Sequence, residues 1–84
     1  MLWHRKKLTA EEVKELPDGA TVFVHGRDRH GYSTERMCEI ITDGRARKLR
    51  YFDSSEMMVK RMPVRKLDGV VHFYTVEDRG EERA

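Results

Sequence analysis

The 84-residue chain has a single cysteine, Cys38, which rules out an internal disulfide and a paired-cysteine metal knuckle. It also lacks long apolar runs. No window approaches the ~18 consecutive apolar residues of a membrane span. The opening MLWHRKK carries cations, but no apolar stretch of signal-peptide length follows it. Internal repeats and low-complexity tracts are missing, as are the GxGxxG and GxxxxGK patterns that cradle phosphates; Gly26 and Gly31 stand alone. The net charge is only +2, so the average field says little about partners. These absences predict a soluble, reducing, cytoplasmic setting and no cofactor.

Hydrophobic and charged residues each make up 38% of the chain, low and high respectively for a globular domain. A chain of this length buries roughly 60–65% of its unfolded surface, enough for one modest core. The apolar residues cluster through the middle. That organisation predicts a flexible basic lead over residues 1–7, a single domain over 8–76 and a disordered acidic tail over 77–84.

Within LTAEEVKELPDG, Thr9 is a good N-cap and Glu12 completes a capping box. Leu8, Val13 and Leu16 give a narrow apolar stripe, and Pro17 stops the helix. The period then drops to two. Strands are expected near Ala20–His25, Thr34–Thr42, Arg45–Phe52, Glu56–Met62 and Val70–Val76, with Asp43-Gly44 as a hairpin turn. Five short strands and one short helix predict a mostly-β fold. The arrangement resembles a small antiparallel SH3-like barrel, with an OB-like barrel as the alternative, and a superfold of either kind licenses no function.

If Asp43 and Gly44 are the loop residues, Ile40 faces Arg47 and Cys38 faces Leu49 on a core face, while Glu39 faces Lys48 and Met37 faces Arg50 on a solvent face. Arg45 and Arg47 then lie on the core side beside the turn, where an unpaired buried charge is costly. The expected resolution is a hairpin tip projecting past the barrel, with Arg45, Arg47, Lys48 and Arg50 all in water.

Charge is unevenly spread. Residues 45–66 hold eight cations (Arg45, Arg47, Lys48, Arg50, Lys60, Arg61, Arg65 and Lys66) against Asp53 and Glu56. Such a patch suits a nucleic-acid backbone read with low sequence specificity, with Tyr32, Tyr51 or Phe23 as stacking faces. The competing expectation is a protein-interaction or assembly module that uses a strand edge or a Met and aromatic surface including Met57, Met58, Val59 and Met62. Catalysis has less support. Asp28, His30, Tyr32, Ser33 and Glu35 share a charged loop, but nothing fixes their geometry, and a non-catalytic domain is expected. A metal site is not expected either, since His25, His30, His72 and Cys38 offer no second thiol. The expected oligomeric state is a monomer or weak homodimer.

Overall fold

Alternating apolar residues carry most of the chain into strands. The computed structural model describes residues 4–78. Its elements are β1 (His4–Leu8), α1 (Ala10–Lys14), β2 (Thr21–Arg27), β3 (Ser33–Asp43), β4 (Ala46–Asp53), β5 (Met58–Pro63) and β6 (Phe73–Asp78). All strand pairs are antiparallel, in one sheet of order β1-β6-β2-β3-β4-β5.

Helix α1 starts where its caps demand. The Thr9 side chain accepts from the Glu12 amide, and the Glu12 carboxylate accepts from the Thr9 amide at 2.8 Å. Five helical residues are not stable alone. Ala10 and Val13 are therefore buried against the sheet, where Val22, Cys38, Ile40, Leu49 and Tyr74 supply the core and Val64 closes it from the segment after β5. Full burial of Val13, Val22, Ile40 and Leu49 contributes about 1.5–3 kcal/mol each. The Tyr74 hydroxyl donates to the Arg65 carbonyl (2.8 Å) and accepts from the Arg65 amide (3.1 Å), which fastens that segment.

The mostly-β, antiparallel architecture with one short helix matches the sequence reading, but the strand count and closure differ. There are six strands among the described residues, and β1 and β5 remain as edges, so the sheet is not closed into a barrel. The added strand, HRKKL, has no apolar alternation to betray it. It pairs along β6 through its backbone, and two of its cations lie on aromatic rings: Arg5 over Phe23 at 3.9 Å and Lys7 over Phe73 at 4.4 Å. The last strand begins at Phe73 rather than Val70. The Asp68 carboxylate accepts from the amides of Val70, Val71 and His72 and curls that stretch into a turn.

The hairpin register also differs. Asp43 pairs with Ala46, so the loop residues are Gly44 and Arg45. Gly44 at φ +66° occupies the first loop position, where a type II′ turn requires glycine. Moving the turn by one residue keeps every side chain on its expected face but slides the pairs by two. Ile40 now faces Leu49, Thr42 faces Arg47, and Glu39 faces Arg50.

Candidate interaction surface

The eight cations do not form one free patch. Arg47 sits on the core side, and instead of projecting past the hairpin it folds back onto the end of α1. Its Nε donates to the Lys14 carbonyl (3.2 Å), one terminal nitrogen to the Leu16 carbonyl, and the other to Asp18 (2.6 Å) and Thr42. The orphan carbonyls and open acid at a helix end supply the partners that a core-side arginine needs. Lys60, also on the core side, bridges Asp53 (2.9 Å) and Glu56 (3.0 Å).

On the opposite, outer face, Arg50 pairs with Glu39, and Lys48 (3.1 Å) and Arg61 (3.3 Å) share Asp43. Lys48 is the nearer and first cause holding the Asp43 carboxyl below its ordinary range. Among the described residues Arg45, Arg65 and Lys66 make no ion pair; Arg45 stands exposed in the hairpin loop, and Lys66 lines a cleft with Lys7, Leu67 and Phe73.

The three expected stacking residues are dispersed. Tyr32 is exposed at the far end of the sheet, in the loop between β2 and β3. Tyr51 lies on the core side under the Arg36 guanidinium, 4.4 Å from its ring centre. Phe23 is on the outer face but is buried beneath Arg5, which Glu35 holds at 3.0 Å.

A second exposed aromatic, Phe52, lies on the outer face. It faces Val59 across β4 and β5, and with Met37 it lines an open hollow of about 510 Å³. Met37 (66%), Phe52 (57%) and Val59 (58%) are largely exposed, and so is Met57 (74%), in the turn before β5. The row Phe23, Met37, Phe52, Val59 thus runs across the outer face toward an open edge. Cations roof it on the β1 side, and among the described residues none lies over Phe52.

The turn before β5 is tightly built. The Asp53 carboxylate accepts from the Ser55 hydroxyl (2.7 Å) and amide (2.9 Å) and from the Glu56 amide (3.3 Å). Those bonds and Lys60 hold it well below the usual carboxylate range. They close the chain so that Met57 takes φ +54°, a left-handed conformation that is uncommon for a bulky residue and costs about 1–3 kcal/mol.

No family model, curated protein or solved structure matches this chain.

The charged loop after β2 spends its groups on itself. Asp28 accepts from the His30 (2.9 Å) and Tyr32 (3.0 Å) amides, and Glu35 belongs to Arg5. His25 stacks on Phe73 (4.6 Å between centroids) and shares a 2.8 Å hydrogen bond with the Thr75 hydroxyl. Burial lowers its pKa below the ordinary histidine value, aided by Arg5 and opposed by Glu35. The Cys38 thiol is buried and pushed up to about 11 by that burial, which keeps it protonated and unreactive. Among the described residues no three His, Cys, Asp or Glu side chains come together to hold a metal ion, and no helix is long and apolar enough to cross a membrane.

Proposed function

We infer that this domain is a protein-interaction module that engages its partner through the open β5 edge and the apolar row beside it. One observation carries the reading: Met37, Phe52 and Val59 are exposed together on one face beside an edge strand. Scattered surface apolar residues are ordinary, whereas a contiguous set rimmed by charge marks contact surfaces. Here the rim is Lys48, Arg50, Glu39 and Arg61.

A second reading, binding to a nucleic-acid backbone, is favoured by a different fact: Phe52 shares its face with Lys48, Arg50 and Arg61, an aromatic among cations. Those cations already have acidic partners, so a phosphate backbone has to displace Glu39 and Asp43 to use them.

One experiment separates the two. Peptides selected from a random library against the folded domain, and separately a short single-stranded oligonucleotide, are titrated while amide shifts are followed at ~50 and ~200 mM salt. Protein recognition gives shifts at Met37, Phe52 and Val59 that persist at the higher salt and vanish in Phe52→Lys. Oligonucleotide shifts that collapse with salt support the second reading. If the library yields no peptide that maps to this face, the first reading is wrong.

A further inference from the structure

The two open edges differ in chemistry. Edge β1 carries Arg5, Lys6 and Lys7 in succession, and cations on an edge strand discourage pairing with another chain. Edge β5 begins with Met58 and Val59, and its proline, Pro63, comes only at its far end. The apolar row of the outer face runs off the sheet at Val59, so a strand added there continues it.

A second copy is a poor occupant. In two-fold pairing of identical antiparallel strands, residues of one face meet their own kind. The registers that use most of β5 set Lys60 against Lys60 or Arg61 against Arg61. A register centred on Val59 avoids this, but it pairs only Met58, Val59 and Lys60, because Met57 at φ +54° takes the chain out of extended form. Pairing β5 of one copy with β1 of another sets cations against cations, in either direction, in every register that uses most of both strands.

The charge pattern instead fits a different chain. Lys60 is satisfied by Asp53 and Glu56, but among the described residues Arg61 reaches only Asp43, at 3.3 Å, and Lys48 holds that carboxylate more closely. An acid placed opposite Arg61 completes the pair, and an apolar residue opposite Val59 covers it and reaches Phe52. Resting on the protein-interaction reading above, we propose that β5 takes an extended segment of another protein as an added antiparallel strand. That segment carries an acidic residue two positions ahead of a β-branched or aromatic one.

The test uses two synthetic peptides with Gly-Ser flanks, one containing Glu-Thr-Val-Thr-Val and one with its Glu replaced by Lys. They are titrated into the full chain and into Arg61→Glu. Binding of the Glu peptide should slow hydrogen exchange at the outward amides of 58–62 and shift Met37 and Phe52. The Lys peptide should bind the native chain about three- to tenfold more weakly, as direct like-charge opposition predicts. Arg61→Glu should reverse that order. Equal affinity for both peptides, or shifts at Phe52 without protection in β5, overturns strand addition. In those outcomes library-selected peptides that still map to the outer face leave the broader reading standing; if those fail too, both fall.

Discussion

Arg47 offers a direct way to refute the account of the cations. Four of its five N–H groups are used, on the Lys14 and Leu16 carbonyls, Asp18 and Thr42, so it ties α1 and the following turn to β4. Replacement by alanine leaves the Lys14 and Leu16 carbonyls without this donor and Asp18 with only the Thr42 hydroxyl (2.9 Å) among the described partners. Hydrogen bonds to charged groups are worth about 1.5–3 kcal/mol in favourable cases. The Arg47 side chain is 25% exposed and Asp18 60%, so solvent replaces part of what is lost, and about 2 kcal/mol is a fair total. In a domain of this length that lowers Tm by about 8–16 °C. Arg47→Lys should fall between, because an ammonium cannot span all four acceptors. Arg45→Ala, in the exposed loop, should stay within about 0.5 kcal/mol of the native chain. Circular-dichroism melts, backed by urea midpoints at constant m-value, measure all three. If Arg47→Ala melts with Arg45→Ala, then Arg47 is a surface cation after all and the structural assignment is wrong.

Leu49→Ala, at a fully buried position, should cost about 2–5 kcal/mol in urea unfolding, a large fraction of the stability of a domain with one small core. Met57→Asn should raise stability by about 1 kcal/mol by relieving the left-handed residue, which calorimetry reads directly. For His25, the folded imidazole holds its proton less readily than the unfolded one, so the unfolded chain takes up more protons as the pH falls through ~6.5. Stability should therefore drop between pH ~7.5 and ~5.5, and His25→Gln should flatten that part of a Tm-versus-pH curve. Phe52→Lys should leave the melt within about 0.5 kcal/mol of native, because the ring is mostly in water already.

The helix was legible because capping is local: Thr9 and Glu12 specify it within four residues. The central strands were legible by their alternation, including the face on which each side chain falls. Strand β1 was hidden because its contribution to the outer face is cationic, and nothing in HRKKL announces that Arg5 and Lys7 lie on rings far along the chain. The exposed apolar row of the outer face was hidden by a subtler cause. With Asp43 and Gly44 in the turn, Met37 falls opposite Arg50, and the solvent face looks like mixed polar surface. With Gly44 and Arg45 in the turn, Glu39 takes Arg50, and Met37 and Phe52 come together over one hollow. Each residue was already on the correct face; only the register makes them neighbours. Likewise, a count of cations over residues 45–66 cannot distinguish one bound to a helix end from one in water.

Strand β1 lies beside β6, with His4 opposite Asp78 in register. Both ends of the described chain therefore leave from one margin of the sheet, β6 lying four positions and β1 five positions from β5 along the strand order. A short flexible linker from residue 78 to residue 4, with new ends opened at Gly44, is a feasible circular permutation of this domain. A fluorophore, a surface tether or a fused domain joined next to residue 4 or residue 78 therefore extends from the β1–β6 margin and not from the open edge of β5.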